Sequence, residues 1–449
     1  MNVPTYSPTQ AWKALAALSL GFFLALLDQT AIAVALPTIA RAHGVDYAAA
    51  TWVATGYLLA VVVPLLATGR MGDRFGHRRV YVAGVAVFTL GAAGAALSAS
   101  LAMMIAWRFV QGLGASLLIP QTVAVVNQVF PPERRGRAYG AWGVVGSAAA
   151  ITGPLLGGVV VSALGWRGVF LVHIPVGIVA VILGLRWVPN LPVSAVPIDP
   201  LGVVLSLLGL GSIVLAAQEG PRHPWLWILA PVGLAALVFF ALRQRRSDAL
   251  VPLRLFAVRN YNVGMVTISA MGMFSAAGLI PLMAWLQDAR GLDSASAGAL
   301  ATPMAITALL LGPTGGFLAE RVSPAIMHGV GFTLLSVCFW AEAWIFQARA
   351  SLWIVATVLV VIGVGQSCIW ASNAAAALGE IPGEDMGAAS GAYNAARQVG
   401  AVVGVASVGA VMTAFGTVGA VLLLAVVLAG AALLSLRFQR GHGPAQHAD

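Results

Sequence analysis

Two ionisable residues, Asp28 and Arg108, stand inside long apolar stretches of the sequence. A charge within a membrane segment is costly, so such residues usually serve an ion pathway, a substrate pathway or a proton relay. Arg108 cannot release its proton. Its positive charge nevertheless favours the ionised form of a nearby carboxyl, and this preference is lost when the charge moves away. The pair therefore suits a proton-linked switch. The alternative is a structural acid that never titrates and an arginine that only satisfies backbone carbonyls.

The positions of these two residues along their helices predict that they meet. The first apolar helix is expected to run outward and to end near Leu36, and the fourth to run inward from near Leu101. At a rise of 1.5 Å per residue, Asp28 and Arg108 both lie about 11–12 Å below the outer surface. We therefore expect an ion pair, or a pair bridged by water.

The composition requires a membrane to hold these helices. Of the 449 residues, 60% are hydrophobic and 9% are charged, whereas a soluble domain carries about a quarter charged residues. Long continuous apolar runs favour helices over the short alternating strands of a barrel. We predict an all-α integral membrane protein without a cleaved signal peptide. Its fourteen predicted transmembrane helices cover residues 12–36, 48–69, 80–98, 101–126, 138–163, 167–187, 201–217, 225–242, 261–286, 295–318, 325–346, 352–377, 387–412 and 414–436.

The distribution of basic residues predicts the orientation. With the N-terminus inside, 17 of the 24 Lys and Arg residues fall in cytoplasmic segments, 5 in external ones and 2 within helices. Cytoplasmic loops collect Lys and Arg, so we expect both termini in the cytoplasm and an even number of helices. The same rule explains the net charge of +9 without a nucleic-acid partner.

The order of the segments predicts two equivalent bundles. Six predicted helices precede a central pair of helices, and six follow it. The proline-rich stretch 189–200 connects the first six helices to the pair, and the basic, amphipathic stretch 243–260 connects the pair to the last six. The predicted parts are an N-terminal six-helix bundle over 1–187, a linker and inserted helix pair over 188–242, a cytoplasmic connection over 243–260, a C-terminal six-helix bundle over 261–437 and a cytoplasmic tail over 438–449.

Short motifs recur at defined places in these helices. The turn between helices 2 and 3 reads GRMGDRFGHRR (69–79), helix 1 carries LLDQTAIAVALPTIA (26–40) and helix 5 carries GSAAAITGPLLGG (146–158). Helix 4 carries WRFVQGLGASLLIP (107–120), and VPLRLF (251–256) precedes helix 9. Together these motifs resemble the major facilitator superfamily, in its fourteen-helix drug:proton antiporter branch. The charged turn departs from the family pattern at His77, where the family usually has a strongly basic residue such as arginine.

The resemblance implies roles for three groups of residues. The charged turn would act as a cytoplasmic latch through Gly69, Asp73, Arg74, Gly76, Arg78 and Arg79. The outer gate motif would comprise Gly153, Pro154, Gly157 and Gly158. Helices 1, 4, 9 and 12 would line a substrate cavity, with the candidates Gln29, Gln111, Gln121, Met271, Phe274, Gln366, Trp370 and Asn373.

Three further residues are interpreted from their positions alone. Arg397 could join the latch by pairing with Glu380, Glu384 or Asp385, or it could simply extend to the membrane surface. Glu342 is expected at the outer interface. No role is predicted for His173.

The predicted function is secondary active transport in the cell membrane: proton-coupled efflux of small hydrophobic or cationic drugs by alternating access. Its partners would be the substrate, protons and membrane lipid, with no cofactor and no metal. Export of an endogenous lipid or metabolite, uptake of a small solute, and a non-transporting sensor or scaffold of the same fold remain alternatives. No phosphate-binding loop and no catalytic constellation is visible, so we expect neither an ATP-driven pump nor an enzyme.

Overall fold

The computed structural model describes residues 6–193, 199–244, 253–319, 321–382 and 385–439. Glu384, residues 245–252 of the cytoplasmic connection and most of the C-terminal tail therefore lie outside the described residues. Within the described ranges the chain is helical, without a strand. The helices are α1 (Pro8–His43), α2 (Tyr47–Val62), α3 (Leu65–Phe75), α4 (His77–Ala96), α5 (Leu101–Val129), α6 (Pro132–Leu164), α7 (Trp166–Leu171), α8 (His173–Trp187), α9 (Pro200–Glu219), α10 (Leu229–Arg243), α11 (Arg259–Ala277), α12 (Leu279–Ala284), α13 (Ser294–Ala319), α14 (Pro324–Ala348), α15 (Leu352–Leu378) and α16 (Met386–Ser435).

Local sequence signals explain where α1 begins and ends. Ser7 accepts a hydrogen bond from the backbone N–H of Gln10, whose side chain bonds back to Ser7. This reciprocal pair satisfies two donors that the first turn leaves free. At the other end Gly44 adopts φ 62°, a left-handed conformation that glycine adopts without steric cost.

Twelve helices of the described chain are long and apolar enough to cross a membrane, and the bent pair α2–α3 raises the number to thirteen. The predicted helices 387–412 and 414–436 form the 50-residue α16, which is interrupted at Gly416 with φ 69° and ψ −172°. A count of fourteen requires α16 to cross twice, and that count stays a prediction.

The helices form two bundles and a separate hairpin. Helices α1, α2, α4, α5, α6 and α8 pack on one another, as do α11, α13, α14, α15 and α16. Helices α9 and α10 pair with each other, and α9 also contacts α2 and α16. Gln218 of α9 donates to the carbonyl of Ala48 at 2.8 Å, and Trp52 donates to Glu219 at 2.7 Å. These bonds fix the hairpin along α2, beside the junction of the two bundles.

Polar contacts between the bundles cluster at one end of the molecule, which we call the His43 end. Tyr47 donates to Asp288 at 2.5 Å, and Gln287 donates to the carbonyl of Val34 at 2.9 Å. Ser162 donates to Asp293 at 3.1 Å. We call the opposite end, where α3 meets α4, the Gly76 end.

Candidate transport site

The centre of the first bundle holds a buried ion pair. The same terminal nitrogen of Arg108 lies 2.7 Å from each carboxylate oxygen of Asp28. Both side chains have 0% exposure. Since α1 and α5 both contribute, the pair ties together two helices of one bundle, and the expected contact between these residues is present.

Neighbouring groups supply further hydrogen bonds to this pair, although the Nη2 of Arg108 is buried without a partner among the described residues. Gln111 donates to Asp28 at 3.0 Å and accepts from Arg108 at 2.8 Å. The Nε of Arg108 donates to the carbonyl of Val53 at 2.8 Å, and the guanidinium lies 4.3 Å from the ring centre of Tyr57. Buried charges are tolerated when they are paired and hydrogen-bonded, and three helices supply the partners here.

Asp28 and Arg108 do not lie at equal distances from the ends of their helices, contrary to the prediction. Helix α1 does not end near Leu36 but continues through Pro37 to His43. Asp28 therefore lies about 22 Å from the end of its helix at 1.5 Å per residue, while Arg108 lies about 10 Å from the start of α5. The two helices begin and end at different levels, and this offset brings the residues together.

His173 belongs to the same site, although no role was predicted for it. Its Nε2 lies 3.8 Å from the Oδ1 of Asp28, and its ring is 1% exposed. The sequence did contain a signal for this residue, namely a titratable side chain within an apolar segment. It was discounted because no ligand partner stands near His173 in the sequence. Helix packing supplies the partner, since α8 contacts both α1 and α4.

The glycine motif of α6 lies against two other helices. A Cβ on Gly157 would come 3.2 Å from Ala31 of α1, and a Cβ on Gly158 would clash with the carbonyl oxygen of Ser294 in the second bundle. Gly153 is similarly close to Thr30, and the carbonyl of Pro154 to Gly298 of α13. The absence of side chains allows these backbones to approach. Helix α6 is continuous through Pro154, and the motif contacts the other bundle near the His43 end.

The charged turn places His77 rather than an arginine in its centre. His77 is 1% exposed; its Nδ1 lies 2.8 Å from Gln121 and its Nε2 3.4 Å from Asp73. Gly76 has φ 96°, a conformation that glycine adopts without steric cost, and this allows the sharp turn between α3 and α4. Arg78 donates to the carbonyl of Leu185. The remaining predicted latch residues, Gly69, Arg74 and Arg79, lie in the same turn or beside it.

Two of the acids predicted to pair with Arg397 have other partners, and the third, Glu384, lies outside the described residues. Asp385 forms two bonds of 2.7 Å with Arg254, and Glu380 accepts from Asn260 at 2.9 Å. Arg397 lies eleven residues into α16, about 17 Å from its start, so the helix carries it away from both acids. It is half-buried, and within the described chain it forms no ion pair.

The predicted cavity residues divide into two groups. Gln111 belongs to the ion-pair cluster, and Gln121 bonds to His77 and to the carbonyl of Thr68. Asn373 is held between Thr267 and Tyr393. Phe274 packs edge-on against Phe339 within the second bundle, and Met271 is fully buried. The half-buried candidates, which retain exposed surface, are Gln29, Gln366 and Trp370.

Comparison with known proteins agrees with this architecture. The sequence profile described as Major Facilitator Superfamily matches residues 18–280 and 264–449, which together cover most of the chain. The chain belongs to the Major Facilitator Superfamily. It is thus a multi-span membrane transporter and not an enzyme.

Relatives of this transporter include proteins from several bacteria. An uncharacterized MFS-type transporter of Mycobacterium tuberculosis is 37% identical over 90% of this chain and 70% of its own. The tetracenomycin C resistance and export protein of Streptomyces glaucescens is 31% identical over 89% of this chain and 76% of its own. A multidrug export protein of Haemophilus influenzae is 28% identical over 86% and 78%.

Solved structures show the same fold at low identity. An auto-inhibited POT family peptide transporter matches with a TM-score of 0.73 at 17% identity, covering 98% of this chain and 99% of its own. A bacterial homologue of the human lysosomal transporter Spinster matches with a TM-score of 0.71 at 14% identity, covering 98% and 100%. At these identities the likeness concerns the fold alone.

Proposed function

We propose that this transporter exports small hydrophobic or cationic drugs across the cell membrane in exchange for protons. The observation that carries the proposal is the buried contact between Asp28 and Arg108. The names of the relatives, which include an antibiotic export protein and a multidrug export protein, support the substrate class. The preference for cations in this proposal rests on the negative charge of Asp28. A cationic substrate could balance that charge in place of a proton.

The ion pair provides a way to couple a proton to a change of shape. When Asp28 is ionised, Arg108 and Gln111 hold it between α1 and α5. A proton that binds to Asp28 removes its charge, so the attraction to Arg108 weakens and the helices gain freedom to rearrange. In a membrane interior, neutralising a charge changes the free energy by several kcal/mol. This is enough to shift the equilibrium between two conformations.

The orientation follows from the basic residues. With the Arg-rich turn at the Gly76 end in the cytoplasm, the His43 end is external and both termini are internal. The contacts of Gly158 with Ser294 and of Tyr47 with Asp288 then close the external side. In the proposed cycle this state follows the release of the proton to the cytoplasm, and the substrate binds from that side. The bundles 1–187 and 261–437 would rock against each other to open the external side.

The test is drug transport by Asp28→Asn in everted membrane vesicles. Ethidium serves as the probe, and an imposed pH gradient drives transport. Asparagine retains the size and one acceptor of aspartate but cannot take up a proton, so gradient-driven transport should be lost while the protein still inserts. The matched control is Asp199→Asn, since Asp199 also pairs with an arginine, Arg243, but at the inserted hairpin. Parent-like transport by Asp28→Asn would contradict the proposal.

A further inference from the structure

His173 has one ring nitrogen in use and one without a partner. Its Nδ1 lies 2.7 Å from the carbonyl oxygen of Val169. Because a carbonyl can only accept, Nδ1 carries the hydrogen in this contact. In a neutral ring Nε2 then presents a lone pair, and it is buried with no hydrogen-bond partner among the described residues. Buried polar atoms without a partner are rare in native proteins.

The unpartnered nitrogen faces the acid of the ion pair. The Nε2 of His173 and the Oδ1 of Asp28 are 3.8 Å apart. With His173 neutral and Asp28 ionised, both atoms are acceptors, and two lone pairs oppose each other in a site of low dielectric constant. A single proton on either atom converts this opposition into a donor–acceptor contact.

Helices α1, α4 and α7 pack against α8, and the charged or titratable groups near His173 come from α1 and from the helices behind it. Helix α1 contributes Asp28, α5 contributes Arg108, and α2 contributes Tyr57 over the guanidinium. Helix α4 contributes the ring of Phe88, whose centre is 5.6 Å from that of His173. A proton on His173 therefore has one anionic partner, Asp28, for which Arg108 competes.

We propose that the Nε2 of His173 is a second proton-binding atom of the transport site and shares the coupled proton with the Oδ1 of Asp28. The inference rests on the proposed function and refines it. The proton binds to Nε2 to give an imidazolium, which then donates to Asp28. It can pass to Oδ1, leaving His173 neutral and Asp28 uncharged. In both forms Arg108 loses part of its hold on Asp28, so protonation on α8 is transmitted to the contact between α1 and α5.

The experiment compares His173→Gln with His328→Gln in the full-length protein. Glutamine can hydrogen-bond but does not titrate in the working pH range. His328 is the matched control because it is also fully buried, but in the second bundle and bonded to Ser372 at 3.0 Å, without a carboxylate partner. Ethidium exchange in vesicles is measured from pH 5.5 to 8.5, beside Asp28→Asn. The ¹⁵N signals of the imidazole rings are followed over the same range in the purified protein.

The inference predicts that His173→Gln moves the limb of the pH profile to lower pH by about one unit, because one of the two proton-binding atoms is lost, while the slope is kept because Asp28 still binds one proton. His328→Gln should keep the parent profile. The ring signal missing from His173→Gln should convert between neutral and protonated forms in the parent, with a midpoint that moves in Asp28→Asn. The inference is overturned if that signal stays neutral throughout and His173→Gln keeps the parent profile while Asp28→Asn stops exchange. Parent-like exchange by Asp28→Asn would instead contradict the proposed function itself.

Discussion

At the residue scale, the site depends on a charged pair that is satisfied on almost every side. Removing one member of a buried pair leaves the other charge uncompensated, at a cost of about 3–5 kcal/mol. Gln111 has a different role, since it bonds to both charges and carries none. It orients Asp28 and Arg108 relative to each other, so its loss should affect the switch more than the fold.

Gln111→Leu tests this orienting role. The variant keeps the approximate volume but loses two hydrogen bonds, each worth about 0.5–1.5 kcal/mol, or more where the partner is charged. Ethidium exchange should fall about tenfold, since 1.4 kcal/mol corresponds to a factor of ten, with a normal amount of protein in the membrane. Gln10→Leu, at the exposed cap of α1, is the control. Exchange at the parent rate would remove Gln111 from the site.

Residue types predicted the pair but not its surroundings. Asp28 and Arg108 stand out because charge is rare in apolar helices. His173 and Gln121 could not be placed, because hydropathy reports depth and not the direction in which a side chain faces its neighbours. The same holds for Glu342, which was expected near the outer interface from its position: it is 2% exposed, on a face of α14 that packs inward, and hydropathy gave no sign of that face. Sequence position alone cannot distinguish these faces when a helix is apolar all round.

At the element scale, glycines determine how closely the helices of the two bundles approach. The backbone of α6 contacts α13 where Gly158 faces Ser294 and where Gly298 faces Pro154. Any side chain at these positions must separate the helices, and the separation opens the His43 end.

Gly158→Ala should therefore favour the state that is open at the His43 end. A cysteine placed at Ala31, after removal of Cys338 and Cys368, reports access from that side. We expect severalfold faster labelling by a membrane-impermeant thiol reagent. Gly211→Ala is the control, because a Cβ at Gly211 would meet nothing within 4 Å. Equal labelling in the two variants would show that this helix contact does not close the external side.

The short 3-10 segment Leu253–Ala257 is attached to the second bundle by apolar contacts, by an ionic contact and by a hydrogen bond from Asn262 to the carbonyl of Phe256 at 2.6 Å. Leu255 packs with Tyr261 and Ile381, and Arg254 bonds to Asp385. The hydrogen bonds and charge of Arg254 hold the pKa of the Asp385 carboxyl below its usual range.

This lowered pKa predicts a pH-dependent contribution to stability. A carboxyl whose pKa is lower in the folded state stabilises the fold above its unfolded pKa of about 3.9, and the contribution is lost as the pH falls through the folded value. Asp385→Asn should lower the Tm of the purified protein at pH 7. The difference from the parent should shrink as the pH falls below about 4. A difference that stays constant from pH 7 to pH 3.5 would contradict an ionic origin.

Most helix boundaries were predictable within a few residues because apolar runs end at charged or capping residues. The predicted helix 352–377, for example, corresponds to Leu352–Leu378. The breaks were not predictable. The predicted helix 48–69 is divided at Pro64 into α2 and α3, which meet at 52°. Proline is common in membrane helices, and several here, such as Pro154, leave the helix continuous.

At the scale of the whole molecule, the described state has its bundles joined at the His43 end. Asp73, in the turn at the Gly76 end, lies 3.4 Å from the ring of His77, and its side chain is 41% exposed. A carboxylate that is so exposed contributes little to the stability of this conformation. We expect its strongest contacts in the opposite state, in which the Gly76 end is closed.

Asp73→Asn should therefore shift the population towards the state described here and slow exchange. A charge-assisted contact of about 1.5–3 kcal/mol corresponds to roughly a tenfold change or more in that equilibrium. Labelling of a cysteine at Gln29 from the cytoplasmic side should increase, again after removal of Cys338 and Cys368. Unchanged labelling together with an unchanged exchange rate would leave the charged turn as an orientation signal only.

Proton coupling through Asp28 requires that a drug gradient alone can move protons through the purified transporter, and this can be measured. Proteoliposomes are loaded with a pH-sensitive dye and start at equal pH on both sides, with ethidium added to one side. If Asp28 couples the two flows, ethidium moving down its gradient drives protons in the opposite direction. The parent then develops a pH difference that nigericin abolishes, and Asp28→Asn develops none. Ethidium entry without any pH change in the parent, or an equal pH change in Asp28→Asn, would contradict the account.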